Sequence, residues 1–269
     1  MSFCFAFLSN DAGLLGPALS PFRAVLHEAK GAPHGWGVGY YQAGQPLLRK
    51  QPKTPEGELD FVSKIEALRS NFIIGHRGGR RAGAQSTENT QPFRFRNWLF
   101  AHLGTVERFD EVKAGLLSSV PDFIRRNIRG ATESEHLFHL FLAFLNDTGK
   151  MDDPRVSGAV VGRALDTTVA YLDRLVTDRS GPPASHCCLA TNGRIVVARS
   201  RGLPLRVTRH GSYTNVGRGP DDRPLSYPHL KAVMLAGGSI PEAPRWETVA
   251  EGHTVVIDAE LNIEYSVPQ

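Results

Sequence analysis

The stretch that decides the fold lies at the start of the chain, where residues 2–9 read Ser-Phe-Cys-Phe-Ala-Phe-Leu-Ser. This apolar run is followed at once by Asn10, Asp11 and Gly13, which are typical of a turn. A short apolar segment bounded by turn residues is typical of a buried strand. The sequence therefore predicts a buried strand that begins almost at the first residue.

The segments that follow alternate between strand and helix patterns. The sequence predicts a helix after Pro17 that ends at Gly31, a hairpin over residues 34–50, a helix near 59–68 and strands over 71–76 and 97–104, with a glycine-rich loop between those two strands. It further predicts helices over 133–146 and 155–179, a hairpin over 185–201 with Asn192-Gly193 at its tip, and another over 253–267. Strands, two central helices and strands again predict a mixed α/β domain.

Residues 132–135, Thr-Glu-Ser-Glu, have the pattern of a helix capping box. We expect the Thr132 hydroxyl to accept from the third amide of the helix. The same pattern predicts that the Glu135 carboxylate reaches back to the main-chain N–H of Thr132.

Bulk composition restricts the class of protein. Apolar residues make up 41% of the 269-residue chain and charged residues 22%, which is typical of one ordinary globular domain over residues 1–269. A net charge of +4 gives little support to nucleic-acid or membrane binding. Because no apolar run approaches the roughly 18 residues of a spanning helix, we expect a cytoplasmic protein. The three cysteines (Cys4, Cys187 and Cys188) are then expected to be reduced thiols.

Four features in a fixed order carry a resemblance to a known family. They are the early strand, the turn Gly35-Trp36-Gly37, the string Glu-Asn-Thr-Gln-Pro-Phe at 88–93, and Trp-Leu-Phe-Ala-His-Leu-Gly at 98–104 followed by Gly-Ala-Thr-Glu-Ser-Glu at 130–135. Together they resemble the class II glutamine amidotransferases, in particular the small stand-alone branch with the ergothioneine-pathway amidohydrolase. The resemblance covers nearly the whole chain and implies an α+β fold, a four-layer αββα sandwich of the N-terminal-nucleophile (Ntn) type with mostly antiparallel sheets.

The resemblance also implies a mechanism. In that family the residue after Met1 is a cysteine whose own α-amine acts as the base. Here that residue is Ser2, which removal of Met1 would make an N-terminal hydroxyl nucleophile. Cys4 is the other nucleophile in this strand, and a buried, unreactive thiol is the more favoured interpretation of it.

The oxyanion and substrate-binding positions carry changes. Gly104 keeps its amide as an oxyanion donor, whereas Leu103 stands where the family has an asparagine and has no group to donate. Glu133 replaces an aspartate that holds the substrate ammonium, although a carboxylate in the first turn of a helix also favours the helix dipole. Trp36 and Gly37 match the family turn, while His34 and Gln91 stand where the family has an aspartate and a histidine.

The arginine that binds the substrate carboxylate is displaced in the alignment. Counting back from residues 88–93 puts Gly78 at the family position and Arg77 one residue early, which would direct Arg77 to the opposite face of a strand. The glycine-rich loop could still bring Arg77, Arg80 or Arg81 inward, or all three could be solvated loop charges. Asn89 and Thr90 agree with the family substrate-binding motif, and fixing a turn is an alternative role for this pair.

Three functions remain open on the sequence. The first is an Ntn amidohydrolase acting on a small amide or γ-glutamyl-type molecule other than plain glutamine, and the second is a catalytically silent relative that serves as a binding module. The third is ordinary glutamine hydrolysis with ammonia passed to a separate partner protein. No cofactor is expected. A metal site built on His136 and His139 would need further ligands such as His102 or His76 and is disfavoured.

Overall fold

The architecture is taken from a computed structural model of the chain. It describes residues 2–28, 35–52, 61–78, 86–106, 108–178, 182, 184–214, 225–240 and 245–267. Everything below concerns these residues.

The first sheet has seven antiparallel strands in the order β11-β9-β10-β1-β4-β2-β3. The strand nearest the N-terminus, β1, lies at its centre and pairs with β10 on one side and β4 on the other. The strands are β1 Phe3–Ser9, β2 Trp36–Gln42, β3 Gln45–Gln51, β4 Phe72–Arg77, β9 Leu205–Tyr213, β10 Tyr227–Gly238 and β11 Glu247–Thr248.

The second sheet has six antiparallel strands in the order β13-β12-β8-β7-β6-β5. Its neighbouring strands β6 and β7 pack against β1 of the first sheet. The strands are β5 Phe93–Phe95, β6 Trp98–Thr105, β7 Ser185–Thr191, β8 Ile195–Arg201, β12 Thr254–Asp258 and β13 Ile263–Ser266.

Helices cover the outer face of each sheet. The first sheet is covered by α1 Leu15–Leu19, α2 Arg23–Glu28 and α3 Phe61–Glu66, with short 3-10 turns at Ala12–Leu14 and Ser20–Phe22. The second is covered by α4 Phe109–Ser118, α5 Asp122–Arg125, α6 Glu133–Asp147 and α7 Gly158–Thr177. The αββα sandwich with antiparallel sheets that the resemblance implies is confirmed.

The alternation of side chains along β1 explains why this strand can be central. Phe3, Phe5 and Phe7 pack under the helices α1 to α3, whereas Cys4 and its even-numbered neighbours pack between the two sheets. Successive strand residues point to opposite faces, so a strand with both faces covered is apolar throughout. We call the face that carries Cys4 the inner face of the first sheet.

Two local predictions were wrong in detail. The helix expected after Pro17 is broken into short pieces, with a 3-10 turn between Leu19 and Arg23. In the capping box, Thr132 Oγ1 accepts from Glu135 N at 3.3 Å as expected. The Glu135 carboxylate, however, accepts from the N–H groups of Arg129 and Gly130, at 2.9 and 2.6 Å, because the preceding loop folds back over the helix start.

Candidate active site

The head of β1 meets the end of β6 across the gap between the sheets. Gly238, the last residue of β10, pairs with Phe3 and has a positive φ of 95°. A Cβ atom added to Gly238 would lie 2.3 Å from Leu103 Cδ2 and 2.8 Å from the main-chain O of Ser2. Ser2 and Leu103, both half-buried, are therefore neighbours around a glycine that has no side chain to separate them.

Gly104 follows Leu103 and takes a conformation that favours glycine. Its φ is 150°, and a Cβ atom there would lie 2.2 Å from the main-chain O of Ser185 and 2.9 Å from His102 Nε2. Contacts this short exclude any side chain at the position. The last residues of β6, Leu103 to Thr105, which we call the Gly104 turn, are thus confined between a strand carbonyl and a buried imidazole.

A buried polar network lies behind this turn. Gln91 Oε1 accepts from His102 N at 2.6 Å and Gln91 Nε2 donates to His102 O at 2.8 Å, so the side-chain amide acts as one more rung beside β6. The His102 ring continues the network, with Nδ1 2.9 Å from Ser134 Oγ and Nε2 3.0 Å from His186 Nδ1. All four residues are at least 96% buried.

The sequence reasoning largely missed this network. It treated Gln91 only as a family substitution and His102 only as a possible metal ligand. The signal that could have found His102 and Ser134 is their place inside the two motifs, directly beside Leu103, Gly104 and Glu133. His186, at the start of β7, has no comparable local signal.

Glu133 begins α6 and faces the end of β6. Its Oε2 accepts a hydrogen bond from the main-chain N–H of Val106 at 2.9 Å. The Glu133 side chain is half-buried, and its partner Val106 lies two residues after Gly104, just past the end of β6. Glu133 therefore lies beside the strand end that carries Leu103 and Gly104.

Arg77 and Trp36 lie on the other face of the first sheet. They pair with each other across β4 and β2, and both pack on the ring of Phe61 in α3. Arg77 Nη1 donates to the main-chain O of Leu26 at 2.8 Å, and burial lowers the pKa of its guanidinium. This is the placement expected from an uninterrupted register, and the assignment of both residues to substrate binding stays a prediction.

Gly37 lies on the inner face and allows close approach of the loop before β5. A Cβ atom on Gly37 would lie 2.1 Å from the main-chain O of Gln91. Asn89 Oδ1 accepts from Ala131 N at 2.9 Å, and Thr90 Oγ1 donates to Ser86 O at 2.7 Å. Thr90 therefore binds main chain of its own turn, as the turn-fixing alternative expects, whereas Asn89 joins this loop to the segment before α6.

Cys4 is placed as a core residue. Its Sγ lies 3.7 Å from Cys187 Sγ, and both side chains are fully buried between the sheets. The hydrogen bond to Cys187, followed by burial, raises the pKa of the Cys4 thiol well above its ordinary value. A thiol held protonated and shielded from solvent is a poor nucleophile.

The paired histidines of α6 bind the helix itself. Nδ1 of His136 lies 2.8 Å from Thr132 O, and Nδ1 of His139 lies 2.8 Å from Glu135 O. Burial lowers the pKa of both rings, that of His139 to about 4. In the described part of the chain, no three His, Cys, Asp or Glu side chains have the arrangement of a metal site.

Three of the sequence predictions lie outside the described residues. These are His34, Arg80 and Arg81. Their relation to Ser2 is therefore not part of the geometry above.

Comparison with known families identifies the chain. Residues 5–264 match the family model of the class II glutamine amidotransferases. The chain belongs to this family. The match begins within β1, after Ser2 and Cys4, and ends within β13, so it includes Leu103, Gly104 and Glu133.

Named relatives agree with the assignment. The chain is 29% identical over 147 residues to a probable glutamine amidotransferase of Saccharomyces cerevisiae, covering 51% of this chain and 41% of that protein. It is 35% identical over 75 residues to the γ-glutamyl-hercynylcysteine sulfoxide hydrolase of Mycobacterium tuberculosis, covering 28% of this chain and 32% of that enzyme. The matches thus span less than half the length of these relatives.

Solved structures share the fold. A protein from Silicibacter pomeroyi described as a glutamine aminotransferase class-II domain protein superposes with a TM-score of 0.60 at 18% identity, covering 98% of both chains. A predicted glutamine amidotransferase from Pseudomonas aeruginosa superposes with a TM-score of 0.58 at 18% identity, over 96% of this chain and 94% of that one. The helices of the described residues include none that is long and apolar enough to cross a bilayer.

Proposed function

We propose that this amidotransferase-like protein is an Ntn amidohydrolase with Ser2 as its nucleophile. The observation that carries the proposal is the meeting of Ser2 and Leu103 at Gly238. The alternation along β1, continued by one residue, directs Ser2 to the inner face with Cys4. Its hydroxyl then faces the strand end that carries the Gly104 amide.

The proposed reaction uses groups at this strand end. The Ser2 hydroxyl oxygen attacks the amide carbon while the Ser2 α-amine takes the hydroxyl proton. The Gly104 N–H stabilises the oxyanion, and the leaving amine departs with the proton that the α-amine took up. Water then hydrolyses the acyl-serine ester, and the acid and Ser2 are released.

The substrate that we propose is an amide or γ-glutamyl-type molecule other than plain glutamine. Leu103 supplies no oxyanion donor, and loss of one donor slows such enzymes about 100- to 1000-fold. Glu133 has its carboxylate engaged with Val106 N, and Arg77 binds Leu26 O on the outer side of the sheet. These residues support a substrate that does not depend on the full set of contacts to a free amino acid.

The test of this function begins with intact mass. We expect Met1 to be absent, because an acylated or extended Ser2 has no free α-amine to act as base. Turnover of an amide panel that includes glutamine and γ-glutamyl amides should then be lost in Ser2→Ala and retained in Cys4→Ala. Retained Met1, or equal turnover in Ser2→Ala and the native chain, would contradict the proposal.

The second candidate is a silent relative that binds a ligand without turning it over. Leu103 at the oxyanion position favours it, because the side-chain donor of the family is lost there and only the Gly104 amide remains to donate to a substrate oxygen. In that case Ser2→Ala would bind the same amides as the native chain, and neither would release product. Calorimetric binding without product by mass spectrometry is the result that selects this candidate.

A further inference from the structure

We propose that His102 is a positioning residue, whose Nε2 side holds the Gly104 turn in the conformation that presents its amide to Ser2. The inference deepens the proposed function and rests on it for the role of Gly104. It concerns a histidine that the reaction above does not use.

The first support is the way in which the His102 main chain is held. Gln91 binds both its N–H and its C=O through one side-chain amide, at 2.6 and 2.8 Å. Because Oε1 accepts from an N–H, the orientation of the amide is fixed and Nε2 is the donor. The main chain of His102, two residues before Gly104, is therefore held by a side-chain amide that is not part of the strand pairing.

The second support is the two-sided contact of the imidazole. Nδ1 lies 2.9 Å from Ser134 Oγ at the start of α6, and Nε2 lies 3.0 Å from His186 Nδ1 on β7. A fully buried ring with a partner on each nitrogen has one orientation, because rotation would leave polar atoms unpaired in the core. His102 thus joins the strand that carries Gly104 to the helix that begins at Glu133.

The third support is the lack of space between the His102 ring and Gly104. Nε2 lies 2.9 Å from the position of a Cβ on Gly104, and Ser185 O lies 2.2 Å from it on the opposite strand. The Nε2 side of the ring is therefore part of the wall that confines the turn. This geometry predicts that the hydrogen bond from His102 to His186 has a larger effect on the main-chain conformation of Gly104 than the hydrogen bond from His102 to Ser134.

Substitutions of His102 can separate the contacts of its two ring nitrogens. His102→Gln places an amide near Nε2 and keeps the contact with His186, whereas His102→Asn keeps the contact with Ser134. His102→Phe keeps the ring volume and loses both. His139→Phe is the matched control, since His139 is an equally buried histidine of α6 that contacts Phe95 and Phe138.

The first measurement does not depend on any reaction at Ser2. In protein labelled with ¹⁵N-glycine, we expect exchange of the Gly104 amide to rise at least about 10-fold in His102→Phe relative to that of Gly162 in α7. His139→Phe should leave this ratio within about 2-fold. A change common to Gly104 and Gly162, or an equal effect of both variants, would overturn the proposal, because it would indicate a general loss of stability.

The second measurement follows acylation of Ser2 by a serine-reactive probe. We expect His102→Phe to lower the maximal acylation rate about 10- to 100-fold with little change in the probe concentration for half-maximal rate. His102→Gln should recover more of the rate than His102→Asn, and the reverse order would overturn the proposal. If Ser2 of the native chain does not react, the proposed function fails, and the Gly104 exchange ratio still decides the role of His102.

Discussion

Arg77 Nη1 and the main-chain O of Leu26 form a hydrogen bond of 2.8 Å on the outer face of the first sheet, opposite to Cys4. The same guanidinium lies over the ring of Phe61, 5.8 Å from its centroid. The one arginine of the predicted set that the structure describes is thus engaged in joining β4 to α2 and α3.

Replacing Arg77 should affect stability more than chemistry. Arg77→Met removes a charge-assisted hydrogen bond and a cation–π contact, so we expect the free energy of unfolding to fall by about 1 to 2 kcal/mol. Acylation of Ser2 should stay within about 3-fold of the native rate. Arg49→Met, on the exposed side of β3, is the control for urea unfolding. A loss of acylation without a loss of stability would instead assign Arg77 to substrate binding.

Gly104 should tolerate no side chain. In Gly104→Ala the new Cβ meets Ser185 O at 2.2 Å and the backbone keeps a positive φ, so we expect a loss of about 2 to 4 kcal/mol of unfolding free energy. Gly44 separates the two effects, because its φ of 75° is also positive but nothing lies within 4 Å of an added Cβ. Gly44→Ala should lose only about 1 kcal/mol. Equal losses in the two variants would show that the Gly104 turn is not confined.

Gly37 should act through packing of the loop before β5. In Gly37→Ala the Cβ would lie 2.1 Å from Gln91 O, so the loop must move, and we expect a loss of about 2 to 3 kcal/mol. Gly211 on β9 is a matched strand glycine whose nearest neighbour is 3.8 Å away. Gly211→Ala should change stability by less than about 0.5 kcal/mol. Denaturant unfolding of both variants checks the difference.

His139 should make the protein acid-sensitive. Its folded pKa is about 4, against an ordinary value near 6.5, so the unfolded chain takes up the proton first as the pH falls. Above pH 6.5 this group contributes roughly 3 kcal/mol to the free energy of unfolding. That contribution is lost as the pH falls from about 6.5 to 4. His139→Phe should remove that part of the pH dependence.

The control for this prediction is an exposed histidine. His229 lies on β10 and is exposed, so His229→Gln should keep the pH profile of the native chain. Urea unfolding at pH 7 and pH 4.5 measures how much the free energy of unfolding of each protein changes with pH. A native chain whose stability is equal at the two pH values would refute the effect.

The predictions from sequence succeeded where the signal was local. The β1 strand, both later hairpins and the capping hydroxyl of Thr132 follow from apolar runs, turn residues and a helix-start pattern. The strand β10, whose second half pairs with every residue of β1, was only part of a general expectation of strands. Its partner lies more than 200 residues away, and strand pairing across that separation has no local pattern.

The site was predictable in part for the same reason. Family motifs placed Leu103, Gly104 and Glu133 together, and the structure has them at one strand end. The face on which Arg77 lies depended on a register that one inserted residue would have reversed. The link from His102 to His186 joins residues 84 apart in the chain, so only the folded sheet shows it.

The proposed role of Ser2, an N-terminal nucleophile facing the Gly104 turn, can be tested directly. The most direct measurement is to treat the native chain with a serine-reactive acylating probe, digest it and locate the adduct by mass spectrometry. We expect one adduct on Ser2, absent in Ser2→Ala, with a rate that rises as the α-amine loses its proton at a pKa of about 7.7 to 8.0, the ordinary range for such a group. An adduct on another residue, or equal labelling of Ser2→Ala, would contradict it.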